Sequence, residues 1–390
     1  VVDEELIAML HQAREMTAAE RTVTRVRLLS RLCGALYFSD RRHEMASLSE
    51  EATALATELG EPEAIALAAA ARRRAHWGPG RLARRLADST LLLGAADEAA
   101  DLELTLQGRA WLVVDLLEQG DRAGVEAQIE AFTAGAEQLR QPLFRWNAAV
   151  WRAMIAVVDG RLDAAERDAS AAVSSGIRAE GVTAPQYYAI QMLEIRREQA
   201  RMGELEASAR ELVAANPHRA AWRAGLAMLL LETGRLDEAR AELAPLAADR
   251  FASVARDGDW MVTAALAAEL AAALGEVDFA ATLYDLMLPF ADTNVVIGLG
   301  AACLGATNRY LGLLALSLER VADAVAHLRR AVRSNAQLGA TIELARSQLD
   351  LARALDWTAE GRELAARAEA TAAQRGLSAV ARRAAELRGG

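Results

Sequence analysis

The apolar residues of this chain come in helix-length runs, and a short turn of recurring composition separates one run from the next. The turn reads as Gly or a polar residue, any residue, an often apolar residue, then a small residue three positions on. Four copies are clear: Gly160-Arg161-Leu162-Asp163-Ala164-Ala165, Gly203-Glu204-Leu205-Glu206-Ala207-Ser208, Gly234-Arg235-Leu236-Asp237-Glu238-Ala239 and Gly275-Glu276-Val277-Asp278-Phe279-Ala280. Looser copies begin at Asp40, Gly80, Gly120 and Glu319. Successive starts lie about 40 residues apart, except for one step of 31 between Gly203 and Gly234. A sustained internal period of this size marks stacked supersecondary units.

The pattern has a physical basis. Glycine after a helix adopts the left-handed conformation that reverses the chain tightly. The apolar residue then turns inward, and the small residue lets the second helix approach the first. A hairpin of two such helices cannot bury its own apolar face, so it stacks on neighbours into a superhelix with a concave and a convex side. Pro62, Pro142, Pro185 and Pro217 fit as first-turn residues of the leading helices. The short step predicts one shorter hairpin and a local change of curvature, and residues 358–375 read as a terminal capping helix. The expected fold is all-α, a single solenoid over 1–390: a hairpin start in 1–38, the repeat array in 39–337 and capping helices in 338–390.

Composition sharpens this picture. Hydrophobic residues make up 53% of the chain, mostly the strong helix formers Ala and Leu, against only 7 prolines. Lysine is absent, so all 44 basic residues are arginine, which with the alanine excess resembles the coding bias of a high-GC bacterium. The 54 acidic residues leave a net charge of −10 and no basic stripe, which argues against nucleic-acid binding by this segment. The most apolar stretch, Val295 to Leu304, is too short to cross a bilayer, and the expected location is cytoplasmic. Cys33 and Cys303 each read as lying in an apolar helical stretch and are expected as buried free thiols. The chain begins Val1-Val2-Asp3 without an initiator Met, which reads as a segment of something longer.

Catalytic signatures are not found. A phosphate-binding ATPase loop needs a lysine, which this chain lacks. Gly298-Leu299-Gly300 with Gly305 has the wrong spacing for a dinucleotide loop and reads as small-residue packing inside a leading helix. His11, His43, His76, His218 and His327 share no metal-ligand spacing. Asp257-Gly258-Asp259-Trp260 reads as an acidic turn capping the helix that follows. The expectation is a chain without cofactor or metal that binds rather than catalyses.

In such an array the leading helices line the concave groove. Arg152, Glu194, Arg196, Arg197 (with Glu198) and Arg309 put charges where small apolar residues are usual, so they either line a groove or form ion pairs between repeats. Trp146, Tyr187, Tyr188, Trp222, Trp260 and Tyr310 fall near the starts of leading helices. They either anchor a peptide or small molecule, or pack between hairpins.

The Gly-x-Leu-x-x-Ala turns and the Asn216-Pro217 junction resemble tetratricopeptide repeats. The period of about 40, against roughly 34 for the standard unit, resembles the C-terminal arrays of large bacterial signal-transduction ATPases. These include transcriptional regulators related to the maltose activator, antibiotic-regulatory proteins, and AAA-type ATPases fused to nucleotide cyclases. The stretches from Ser30 to Tyr37 before Ser39-Asp40-Arg41-Arg42, and from Trp146 to Arg161, are similar to them in particular. The resemblance implies a right-handed α-α superhelix of about eight to nine hairpins. It also implies a sensor or interaction module of a transcriptional or signalling regulator, whose groove receives a partner protein, the parent's other domains or a small effector. The competing reading is a self-standing adaptor that binds peptides or assembles a complex.

Overall fold

The computed structural model describes residues 3–37, 39, 41–181 and 183–389. Asp40, the start of the earliest turn copy, lies outside the described residues, as do Val1, Val2 and Gly390. The helices, in chain order, are α1 (Glu4–Met16), α2 (Val23–Ala35), α3 (Arg42–Leu59), α4 (Pro62–Ala75), α5 (Leu82–Glu98), α6 (Leu102–Gln119) and α7 (Arg122–Leu139). There follow α8 (Pro142–Val158), α9 (Leu162–Glu180), α10 (Thr183–Glu198), α11 (Glu206–Ala215), α12 (Ala220–Glu232), α13 (Leu236–Ala248), α14 (Trp260–Leu274) and α15 (Val277–Met287). After a short β-hairpin, β1 (Asn294–Ile297) and β2 (Ala302–Ala306), come α16 (Thr307–Ser317), α17 (Val321–Leu338), α18 (Thr341–Ala354), α19 (Ala359–Arg375) and α20 (Ser378–Gly389). The architecture is an all-α helical repeat array carrying one β-hairpin.

Every turn predicted from Gly80 to Glu319 falls between two antiparallel neighbours. Gly160 and Gly234 take the left-handed conformation the turn requires, at φ of 69° and 80°. The Gly203 copy is shifted. There Ala200 (φ 56°) reverses the chain, and Gly203 lies inside a 3-10 turn, Met202–Leu205. The shorter hairpin is real: α11 spans 10 residues and α12 spans 13. Pro62 and Pro142 open α4 and α8, and Pro185 lies in the first turn of α10. Pro217 does not open a helix; it sits in the linker before α12, where Asn216 caps α11 by donating its side-chain amide to Leu212 O at 2.9 Å.

The chain divides into two compact units, one of residues 1–116 with 124–141 and the other of 117–123 with 142–390. The core of the first is built from Val26, Leu29 and Leu32 of α2, Leu48 and Ala52 of α3, and Leu67 and Ala71 of α4. Alanines on the inward face of α4 let its neighbours approach closely, and burying each large aliphatic side chain contributes about 1.5–3 kcal/mol.

In the second unit the row of hairpins closes on itself. Ala156 and Val157 of α8 and Leu162 and Ala165 of α9 share one core with Ile342, Ala345 and Leu349 of α18 and Ala365 and Ala368 of α19. The leading helices α8, α10, α12, α14, α16 and α18 thus form the inner wall of a ring, with their partners outside.

The hairpin corrects the expectation for residues 294–306, which are not helical. Val295, Val296 and Ile297 are β-branched and favour a strand. Gly298 and Gly300 take positive φ (55° and 75°) to turn the tip. The tip is seated between α8 and α10, where Trp151 Nε1 donates to Leu299 O at 2.8 Å and Leu299 N donates to Tyr187 Oη at 2.9 Å. Gln191 Nε2 donates to Ala301 O at 3.1 Å, so the hairpin plugs the ring beside the N-terminal halves of its inner helices. Cys303 is therefore on a strand, and both cysteines are buried and unpaired. Burial pushes their thiols up to about 11 for Cys33 and about 12 for Cys303. The Asp257–Trp260 turn also differs in detail. It precedes α14 as expected and Asp259 holds the N-cap position, but its carboxylate accepts from Arg219 rather than from the helix, while Asp257 Oδ1 accepts from Asp259 N at 2.9 Å.

Candidate binding cleft

Charges on the inner helices of the second unit meet in a ring of ion pairs. Arg197 of α10 donates from Nε to Glu232 of α12 at 2.9 Å and from Nη2 to Glu269 of α14 at 2.6 Å. Arg309 of α16 reaches the same Glu269 at 3.2 Å and donates from Nε to Asp350 of α18 at 2.8 Å. Arg346 of α18 closes the circuit to α10 through Glu198, and holds Glu343 one turn back at 2.6 Å. Arg309 and Asp350 are 0% exposed. Isolated charges at such depth would be prohibitive, and multiple hydrogen bonds are what make the ring tolerable.

The electrostatics follow from the pairing. Burial pushes Glu269 up, but Arg197 and Arg309 outweigh it and hold the carboxyl well below the usual range. Burial likewise opposes the charge of Arg309, and Glu269 and Asp350 overcome it. Glu194 behaves oppositely. It is buried with no hydrogen bond among the described residues, and burial pushes it up to about 7 against the pull of Arg346 and Arg197. A carboxyl raised in the fold keeps its proton while the unfolded chain has lost it, so stability falls as pH rises from the unfolded value of 4.5 through 7. Glu194→Gln is therefore expected to match the parent near pH 4 and to exceed it by roughly 1–3 kcal/mol at pH 8. Urea unfolding at the two pH values measures this.

Above the ring, at the C-terminal ends of the inner helices, lies a cleft of about 320 Å³ covered on one side by α20. Arg197, Arg346, Arg353, Arg382 and Arg383 line it, against the carboxylates of Glu232 and Glu386. Two of the lining arginines come from α20 and tie it to the ring, Arg382 to Glu232 at 3.0 Å and Arg383 to Asp350 at 2.6 Å. Arg353 is exposed and makes no ion pair or hydrogen bond among the described residues.

The residues singled out from sequence divide among these places. Arg197 and Arg309 belong to the ring, Glu194 is buried within the field of Arg346 and Arg197 without a bond to either, and Arg197 also lines the cleft. Arg196 points outward to Glu166 of α9, forming two 2.6 Å hydrogen bonds that hold that carboxyl down at about 2. Arg152 is exposed. Trp146 is buried against Gly176 and packs on Tyr187, with 5.2 Å between the rings. Trp260 is buried between Phe251 and Phe290. Tyr310 is buried and donates to Leu304 O at 2.9 Å. Tyr188 and Trp222 are half-buried. Three histidines also have polar contacts: His11 on Glu44, His76 on Asp88, and His327 between Asn308 and Tyr284.

Apart from Glu198, the acidic half of the ring was missed from sequence, although its signal was present. Glu269 is the lone charge in the otherwise apolar α14, the same anomaly that marks Arg309. Glu343, Arg346 and Asp350 recur at helical spacing on one face of α18.

A family model described as tetratricopeptide repeat matches residues 203–257. No curated protein matches the chain significantly. The matched segment covers the shortest hairpin and its successor, α11 to α13. Together with the serial hairpins it supports a tetratricopeptide-type array. Repeats of this type generally mediate protein–protein interaction, and the fold is typically non-catalytic. No helix among the described residues is long and apolar enough to cross a membrane.

Proposed function

We propose that the chain is a non-catalytic recognition module of a multidomain bacterial regulator, and that it takes an acidic segment of a protein partner into the cleft beside α20. The observation that carries this reading is the convergence of five guanidinium groups on one cleft with only two carboxylates among its lining residues. Arg353 stands exposed at its rim without an ion pair among the described residues, so an incoming carboxylate meets it without dismantling the ring, and Arg382, exposed beside it while paired with Glu232, adds a second guanidinium. Guanidinium forks suit carboxylates because two parallel N–H donors match two oxygens. The buried ring sets the position of Arg197 and Arg346 beneath, so the cleft is pre-organised and little ordering cost falls on binding. The assignment to a regulator is supported by the long repeat period and its resemblance to regulator arrays.

The test is fluorescence anisotropy with a labelled Glu-rich octapeptide and its Gln-rich counterpart. The acidic peptide is expected to bind with an affinity that weakens as salt rises. The double variant Arg353→Glu/Arg382→Glu is expected to weaken it at least about tenfold, the loss of a single charge-assisted contact or more. Equal binding of the two peptides, or no response to the charge reversal, would contradict the proposal.

A further inference from the structure

The first unit holds an unexplained excess of buried donors. Arg73 and Arg74 end α4, and Trp77 follows just after it. Arg73 is fully buried and donates one Nη2 bond to Asp115 at 2.6 Å, leaving its Nε and Nη1 without a hydrogen-bond partner among the described residues. The oxygens of Asp115 are already engaged, Oδ1 by Arg73 and Oδ2 by Ser89 at 2.9 Å. Trp111 of α6 is 7% exposed, and its indole Nε1 also has no acceptor among the described residues. Arg74 makes no hydrogen bond or ion pair among the described residues, and its guanidinium lies against the bare backbone of Gly34, where an added Cβ would stand 3.1 Å from Nη1.

These donors are neighbours. The Arg73 guanidinium lies 3.9 Å and the Arg74 guanidinium 5.9 Å from the centroid of the Trp111 ring. Tyr37 stacks on Trp77 at 5.0 Å, and Trp77 meets Trp111 edge-on at 4.9 Å, so an aromatic wall runs beside the cations. Burial depresses the proton affinity of both arginines, with Asp115 partly restoring that of Arg73. Native structures rarely leave several donors unsatisfied in one place, and Arg74, half-buried beside them, has no counter-charge among the described residues.

We infer that this cluster is a binding site for a small organic oxyanion carried on a planar body, in the first instance an aromatic carboxylate. Its oxygens accept from Arg74, Arg73 and Trp111 Nε1, and its ring lies along Trp77 and Tyr37. The site is separate from the cleft of the second unit and does not depend on it. Gly34 lets the Arg74 guanidinium lie close on α2, and a side chain there would shift it by a few tenths of an ångström.

The full chain labelled with 5-fluorotryptophan, its resonances assigned by single Trp→Phe exchanges, is titrated with benzoate, benzamide and inorganic phosphate and followed by fluorine NMR. Benzoate is expected to move the Trp111 and Trp77 signals saturably while neutral benzamide leaves them in place. Arg74→Gln is expected to weaken benzoate at least about tenfold. Its melting temperature is expected to hold or rise, because the variant removes a cation that has no partner among the described residues. Phosphate binding as tightly as benzoate would overturn the planar body. An equal response to benzamide, an unchanged benzoate titration in Arg74→Gln, or silence at both tryptophans would overturn the site.

Discussion

Replacing Arg309 with methionine is expected to destabilise the second unit by about 3–5 kcal/mol, the cost of removing one partner from a buried ionic network. Arg309 bridges Glu269 and Asp350, with Glu343 at 3.7 Å, and no part of it reaches solvent. Without it, among the described residues, Glu269 keeps an ion pair with Arg197 alone and Asp350 one with Arg383 alone. Glu269 is depressed in the parent, so its contribution is present above the unfolded value and is lost as pH falls through the folded one. The gap between parent and variant is thus largest at neutral pH and narrows in acid, where the stranded carboxylates take up protons. Urea unfolding at pH 7 and pH 4 checks both statements. Replacing Glu269 by leucine in the same chain is expected to recover part of the loss, since a vacated charge pair costs less than a broken one.

Gly305→Ala is expected to cost about 2–4 kcal/mol, combining a left-handed backbone with overpacking. Gly305 has φ of 69°, and an added Cβ would stand 2.6 Å from Asn335 Oδ1 and 2.7 Å from Glu343 Cβ. Asn335 cannot yield easily, because the same Oδ1 accepts from Ala306 N at 2.9 Å and its amide donates to Ser347 at 3.0 Å. Gly275→Ala is the control. Its φ is 75° with nothing within 4 Å of the added atom, so only the backbone part, about 1 kcal/mol, is expected. Thermal unfolding of the two variants separates strain from collision.

Much of the fold was legible because a hairpin array repeats its own turn chemistry. Gly160, Gly234 and Gly275 mark their turns because the left-handed conformation is cheap only for glycine. The shifted reversal at Ala200 was not legible, since the same conformation was forced on an alanine by the tertiary context of a shortened hairpin. The β-hairpin was hidden for a related reason. Val295 to Leu304 is apolar on both sides because it is buried inside the ring, and a fully buried strand cannot be told from a buried helix by periodicity. Arg309 and Arg197 were visible as charges in apolar surroundings, but their partners lie up to 72 residues away, as Glu269 does from Arg197. Only folding brings them together. Arg382 and Arg383 sit in a polar helix of ordinary appearance, so nothing in their local sequence separates a cleft-lining arginine from a solvated one.

The most direct test of the binding module is hydrogen–deuterium exchange of the full chain with and without a saturating Glu-rich octapeptide. Slowed exchange over α20 and over the C-terminal turns of α10 and α18 is the predicted result, with the outer helices α13 and α15 unchanged. Protection confined to other helices, or none at all at saturation, would contradict recognition through the arginine-lined cleft.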